Sequence, residues 1–362
     1  MSNTTGEIFK VTTFGESHGG AVGCVVDGMP AGFAVTDADI QTELDRRRPG
    51  QSPVTTPRKE SDAVKIISGV FEGKTTGAPV MLLINNENVN SKDYENLKNL
   101  YRPSHADFTY EQKYGVRDYR GGGRASARAT APLVAAGALA QKYLKEKAGI
   151  EFLSHTAAVG NVSVKADVSA LQTLMRAQIE QSPVRCPYAE GKFMEAEIAA
   201  AVKEGDSVGC VIRGFIKNLP AGIGEPVFGK LSARLAAAVM GLNAAKGFEI
   251  GNGFEAARLR GSANNDAFIN KDGKIMTEKN RNGGVLGGIS TGEIIYFNAA
   301  FKPTATISKS QITTDKQGNP VEFTAGGRHD PCLAARAVPV VDAVCAITVM
   351  DLFLIWRAYA RD

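Results

Sequence analysis

The sequence predicts an α+β fold in a single large domain spanning all 362 residues. Three observations carry that expectation. Short apolar segments broken by glycine alternate with longer segments that have helical starts and stops, no Pro/Ser-rich linker divides the chain, and composition is ordinarily globular. Apolar residues make up 43 % and charged residues 22 %, which excludes a disordered or fibrous chain.

Residues 8–14, 21–27, 64–70 and 80–84 read as strands. Between the second and third, Thr36 with Asp39 three residues on is a capping-box-like helix start, and Pro49-Gly50 is its stop. An alanine-rich helix is expected from Ala125 to Gly149, with Pro132 in its first turn or at a kink. The polar stretch 264–282 reads as a long surface loop or lid. The apolar stretch 337–356 is interrupted by Pro339, Asp342 and Asp351, whereas a membrane span needs ~20 predominantly apolar residues, so a buried C-terminal helix is expected. One internal echo stands out. Val22-Gly23-Cys24-Val25-Val26 with Pro30-Ala31-Gly32 is matched by Val208-Gly209-Cys210-Val211-Ile212 with Pro220-Ala221-Gly222. An internal duplication of a strand–loop–helix unit and chance are the two accounts of it.

The net charge, 42 − 38 = +4, is too mild and too evenly spread to indicate a nucleic-acid-binding protein. Five cysteines without a C-x-x-C pair suggest neither a disulfide framework nor a structural zinc site, so no metal is expected. The first ten residues lack a basic segment followed by an apolar one, so a cytoplasmic location is expected.

Three of the four histidines have unusual neighbours: His18 in Gly15-Glu16-Ser17-His18-Gly19-Gly20, His105 in Arg102-Pro103-Ser104-His105-Ala106-Asp107, and His329 before Asp330. A histidine titrates near neutral pH and can pass a proton there. Arginines recur beside glycine, proline or serine, at 46–48, 102, 117, 120, 124, 128 and 328. Such guanidinium groups suit bidentate recognition of carboxylate and phosphate, so several converging on one place imply a polyanionic small molecule. The run Tyr119 to Arg128 adds a glycine loop leading into a helix N-terminus, an anion site in its own right. Walker, dinucleotide-binding, zinc-peptidase and serine-hydrolase motifs are all missing.

Six ordered motifs resemble the chorismate synthase family: Gly15 to Gly19 with Asp27-Gly28-Met29-Pro30, Arg46 to Gly50, Arg102 to Asp107, Gly123 to Arg128 on to Gly137, Lys302-Pro303-Thr304, and Arg328 to Cys332. The resemblance implies a layered sandwich of β-sheets covered by helices, assembled as a homotetramer. It implies anti-1,4-elimination of phosphate from 5-enolpyruvylshikimate 3-phosphate to give chorismate, a carbon–oxygen lyase reaction needing reduced FMN without net redox change. In that picture the flavin lends electron density while phosphate leaves, and its N5 then takes the hydrogen. His18 would assist the departing phosphate, His105 would sit by the flavin ring, Asp330 would help free flavin N5 to act as base, and Ser17 and Ser126 would support the network. Flavin contacts would come from Arg124, Ala125, Ser126, Asn243, Ala244, Gly287, Lys302, Pro303, Thr304, Ala305, Thr306 and Arg328. Substrate contacts would come from Arg47, Arg48, Arg102, Arg128 and Arg328.

The sequence departs from the family pattern at three places. Asp342 replaces a glutamate, Ala305-Thr306 replaces a serine pair, and Pro53 stands where many relatives carry an arginine, with Arg58 a candidate replacement. NADPH as reductant, intrinsic or through a separate flavin reductase, stays open. Two other readings compete: a flavin oxidoreductase with net NADPH consumption, and a polyanion- or RNA-binding protein whose affinity would fall steeply with salt.

Overall fold

The computed structural model describes residues 3–51, 55, 60–87, 97–165, 168–325 and 329–359. The first group of strands comprises β1 (Thr4–Thr5), β2 (Lys10–Gly15), β3 (Ala21–Asp27), β4 (Val64–Ile66), β5 (Val70–Phe71), β6 (Lys74–Thr75) and β7 (Val80–Asn85). The second comprises β8 (Glu151–Val159), β9 (Val162–Ser163), β10 (Cys210–Lys217) and β11 (Ala245–Ile250), then hairpins β12 (Phe268–Lys271)–β13 (Lys274–Thr277) and β14 (Val285–Leu286)–β15 (Ile289–Ser290), and finally β16 (Ile295–Phe301). A hairpin β17 (Gln311–Thr314)–β18 (Pro320–Phe323) follows. The helices are α1 (Asp37–Arg47), α2 (Asp107–Tyr114), α3 (Ala131–Ala148), α4 (Arg176–Glu180), α5 (Gly191–Lys203), α6 (Leu231–Met240), α7 (Gly261–Asn264) and α8 (Ala334–Tyr359).

Two five-stranded antiparallel sheets, ordered β1-β2-β3-β7-β4 and β11-β16-β10-β8-β9, form the outer layers. Helices α1 and α3 pack on the first sheet, α6 and α8 on the second, and α3 packs on α8 between them. The fold is α+β, layered sheet, helix, helix, sheet, around one continuous apolar core. Thr36 starts α1 as its sequence suggests: its Oγ1 accepts from the Asp39 amide at 3.3 Å and its own amide donates to Asp39 Oδ2 at 2.8 Å. The C-terminal helix α8 is long and apolar enough to cross a membrane, yet 89 % of its most apolar stretch is buried inside the fold.

Two expectations need correction. The α-helix expected from Ala125 begins at Ala131, after 3₁₀ turns at Gly123–Ala125 and Ala127–Thr130. Ser126, extended between them, turns its hydroxyl to accept from the Arg128 amide at 3.2 Å, and Pro132, with no N–H, fits the first turn of the α-helix proper. The stretch 264–282 is a hairpin rather than an open loop. Asp272 and Gly273 are both left-handed (φ +53° and +81°), the two-residue turn that suits the twist of its flanking strands.

The internal echo has a structural counterpart across both halves. Read from corresponding edges, β2, β3, β7 and β4 occupy the places of β8, β10, β16 and β11, while α1 and α3 follow their strands as α6 and α8 do. Each Pro-Ala-Gly turn is held by the same set of bonds. Thr75 Oγ1 donates to Pro30 O (2.6 Å) and accepts from the Phe33 amide (2.9 Å), and the Gly32 amide donates to Thr75 O (2.7 Å). Ser290 Oγ donates to Pro220 O (2.6 Å) and accepts from the Ile223 amide (2.9 Å), and the Gly222 amide donates to Ser290 O (3.0 Å). Both turn glycines are left-handed, at φ +78° and +101°. The Gly-Cys part of the echo is out of step, however. Val26 faces Val80 and Ile216 faces Ile295, so the turn-aligned partner of Cys24 is Gly214, four residues beyond Cys210.

Candidate active site

A cavity of about 660 Å³ opens where the two halves meet. From the first half it is lined by Arg47, Arg102, His105, Arg124, Ala125, Ser126 and Arg128, and from the second by Asn243, Ala244, Lys302 to Thr306, His329 and Asp330. The structure thus gathers most of the residues singled out from sequence.

Local geometry explains how each is placed. Arg102, His105 and Asp107 are brought together by a tight turn in which Ser104 is left-handed (φ +58°) and the His105 amide donates to Arg102 O at 3.2 Å. Lys302 braces that turn from the other half, donating through Nζ to Ser104 O at 2.6 Å. Its pKa is lowered, first by burial and then by Lys246. The left-handed Ala244 (φ +67°) accepts at its carbonyl from the Lys302 amide at 3.0 Å, and Asn243 Nδ2 donates to Ser126 O at 3.1 Å. Arg124 donates to Thr13 Oγ1 at 2.6 Å. Asp330 is paired with Arg336, and its carbonyl accepts from Thr304 Oγ1 at 2.8 Å.

The arginines divide by how fully the protein satisfies them. Arg128 donates to Asn86 Oδ1 (2.8 Å), Glu60 Oε2 (2.9 Å), Asn85 O (2.9 Å) and Asp62. Arg102 makes a two-pronged pair with Asp107. Arg47 differs: it is 1 % exposed, its Nε lies 3.4 Å from Asp62 Oδ2, and Nε and Nη1 lack a hydrogen-bond partner among the described residues. Burial pulls its pKa down to about 10; Asp62 opposes the fall, while Arg336 and Arg128 add to it. A buried, incompletely paired cation bordering a cavity is a site for an anion.

Several expected residues lie elsewhere. Arg48 follows the end of α1 and turns to Asp45 at 3.4 Å, half exposed and outside the cavity. Gly287, in the β14–β15 turn, lines a separate depression beside Lys230 and Arg281 and not the cavity. Ser17 and His18 are not among the residues that line the cavity; Ser17 Oγ and His18 Nδ1 lie 3.0 Å apart. A Cβ on Gly121 would meet the His18 imidazole, so a larger residue there would have to displace that ring. The flanking Glu16 and Gly19 line an adjoining cavity that shares His105, Tyr110 and Arg124 with the first. Arg328, Pro53 and Arg58 lie outside the described residues.

Sequence reasoning missed Glu60, Asp62, Asn86, Asp107 and Arg336. Asn86 ties the histidine turn to Arg128, since its Nδ2 donates to the carbonyls of Glu16 (2.9 Å) and Gly19 (2.8 Å). Asp107 alone had a local signal, two residues after His105.

Fold and site together define an α+β protein with a cavity lined by arginine, lysine, histidine and aspartate, the residue types of an enzyme site. A family profile described as chorismate synthase matches residues 9–354. The chorismate synthase of Christiangramia forsetii is 50 % identical over 97 % of this chain and 97 % of its own. That of Phocaeicola vulgatus is 50 % identical over 99 % of both, and the chloroplastic chorismate synthase of Capnoides sempervirens is 51 % identical over 98 % of this chain and 79 % of its own. A solved structure described as a chorismate synthase crystal structure superposes with a TM-score of 0.76 at 30 % identity, covering 97 % of this chain and 93 % of that one. The chain belongs to the chorismate synthase family.

Proposed function

We propose that this chain converts 5-enolpyruvylshikimate 3-phosphate to chorismate by anti-1,4-elimination of phosphate, as a lyase requiring reduced FMN. The observation that carries the reading is Arg47, buried at the cavity wall with no hydrogen-bond partner for Nε and Nη1 among the described residues. A substrate with two carboxylates and a phosphate supplies the missing acceptors.

The residues present also fit a flavin phosphate and ring. Arg124 and Lys302 bring cationic groups to the cavity, and the segments Arg124 to Ser126, Asn243-Ala244 and Lys302 to Thr306 would hold the cofactor. The chemistry supplied by bound reduced FMN is a transient loan of electron density and uptake of hydrogen, with no net redox change. The chain's own residues bind, orient and compensate charge. Arg47 and Arg336 face the negative charge that grows on the leaving phosphate, where fixed cations in a partly dry cavity are most effective. His105 exchanges a proton at the cavity wall, His18 serves the same purpose from behind Gly121, and Ser17 and Ser126 support them. Asp330, held by Arg336, sits as the acceptor on the second half's side.

A homotetramer belongs to the same proposal. Large apolar side chains left exposed, Phe228 (97 %) and Phe254 (77 %), support association, and light scattering tests it.

The deciding experiment is anaerobic turnover of 5-enolpyruvylshikimate 3-phosphate with chemically reduced FMN, following phosphate and chorismate together. Equal release of both with the flavin still reduced is expected. NADPH consumed in proportion to product would favour an oxidoreductase instead.

A further inference from the structure

Five donor atoms from three residues converge on one buried carboxylate at the start of α2. Arg102 donates through Nε to Asp107 Oδ2 and through Nη2 to Oδ1, both at 2.7 Å, and its amide donates to Oδ2 at 3.1 Å. Arg117 Nη1 lies 3.1 Å from Oδ1, and His105 Nδ1 lies 3.0 Å from the same oxygen. Asp107 is 2 % exposed. Burial on its own would raise its pKa, but the hydrogen bonds and charges of Arg102 and His105 outweigh that and hold it well below the usual carboxylate range.

An ionised carboxylate only accepts hydrogen bonds, so the imidazole nitrogen that faces it must carry the hydrogen. In its neutral form His105 therefore donates from Nδ1 and keeps its lone pair on Nε2, on a residue that lines the cavity. The charged groups around the ring are Arg102 and Asp107 from its own turn and the start of α2, and Arg117 just beyond that helix, with Arg124 and Lys302 lining the cavity from other segments. Asp107 is spread over two guanidinium groups as well as the imidazole, so its hold on His105 is chiefly one of orientation.

We propose that Asp107 is a positioning residue that fixes His105 as the Nδ1–H tautomer with Nε2 as its working nitrogen, and that Arg102 serves to hold Asp107 rather than to contact substrate. The proposal rests on reading this cavity as the catalytic site, but its first test does not. Nitrogen-resolved NMR of the imidazoles in the full chain, with His105 assigned by the signal lost in His105→Gln, is expected to show Nδ1–H; only four histidines contribute. A dominant Nε2–H form in the unmodified protein overturns the proposal, whatever the variants do.

In Asp107→Asn the side-chain amide can donate to Nδ1, so the tautomer should invert. Then kcat should fall about tenfold or more and its pH profile should move, while substrate KM and FMN affinity stay within about threefold. A folded Asp107→Asn with inverted tautomer but unchanged kcat and pH profile overturns the positioning role, as does a rise confined to KM. Failure of the unmodified chain to eliminate phosphate would sink the proposed function, and the tautomer measurement would still decide how Asp107 acts on His105.

Discussion

At the scale of single residues, charge buried without full pairing is where function and stability pull apart. Arg47 is the clearest case, because Nε and Nη1 of its fully buried guanidinium have no hydrogen bond among the described residues. A hydrogen bond to a charged group is worth about 1.5–3 kcal/mol, so Arg47→Met should weaken substrate binding on the order of ten- to a hundredfold in a titration. Removing one partner of a buried ion pair is costly where it leaves the other charge uncompensated, but Asp62 keeps Arg128 as a partner. The melting temperature should therefore change little, and a fall of several degrees would mean that the Arg47–Asp62 pair is structural. His155 gives the opposite lesson. It is buried on β8 with its ring edge-on to Tyr188 and Phe215, and burial lowers its pKa to about 4 from 6.5, with the Thr156 carbonyl opposing. The unfolded imidazole takes up a proton below pH 6.5 and the folded one only below about 4, so stability is complete above 6.5 and falls as pH drops to 4. The loss amounts to about 3 kcal/mol. Denaturant titrations of the protein and of His155→Gln should show that loss in the former and a flatter pH dependence in the latter. What could be read from sequence at this scale follows separation along the chain. Arg102, His105 and Asp107 lie within six residues and announce each other, although the arginine's partner is the aspartate rather than a ligand. Glu60 and Arg336 reach the cavity, and Asp62 reaches the arginines that line it, only through long-range packing, and none carries a local mark.

At the scale of elements, the paired Pro-Ala-Gly turns show which part of a repeat carries information. Thr75 and Ser290 hold equivalent turns through one hydroxyl that both donates and accepts. Removing it in Thr75→Val or Ser290→Ala leaves a buried carbonyl and amide without that partner, at about 1–3 kcal/mol each. The two turns belong to different halves, so the double variant should lose the sum in chemical denaturation; a shortfall of more than about 1 kcal/mol would show that the halves are coupled through these turns. The sequence also carries a second echo around these residues, Gly69-Val70-Phe71 to Thr76-Gly77 against Gly284-Val285-Leu286 to Thr291-Gly292. It is in register with the structure, where the Thr76 amide donates to Gly69 O at 3.0 Å and the Thr291 amide to Gly284 O at 2.9 Å. The Gly-Cys echo misleads because a strand tolerates any apolar pattern of period two, so similarity there does not fix register. Turns demand particular residues at particular dihedrals and do fix it. The same contrast explains the helix of residues 37–47, readable from its capping box, and the misplaced start of α3, where Ser126 and two 3₁₀ turns intervene.

At the scale of the whole molecule, the two halves meet along α3 and α8, and the cavity lies at the end of that seam. Thr130, just before α3, lines it from one side, and Ala337 and Val340 of α8 line it from the other. The helices approach so closely that a Cβ on Gly137 would stand 2.5 Å from the Ala343 Cβ and 2.6 Å from its Cα. Gly137→Ala therefore sets two effects against each other. Alanine favours a helix interior by about 1 kcal/mol over glycine, while overpacking a close seam costs typically about 1–3 kcal/mol. Because the obstructing atoms include backbone of α8, they cannot swing aside, and the cost should win. The seam can yield only by moving α3 and α8 apart, which displaces Thr130 against Val340 at the cavity. Gly137→Ala should thus lower both the melting temperature, by a few degrees, and FMN affinity, whereas Ser290→Ala, remote from the cavity lining, should lower the first alone. Measuring FMN binding by fluorescence beside thermal melts separates the two. If Gly137→Ala melts lower but binds FMN like the unmodified protein, the cavity is set within each half rather than by the packing between them.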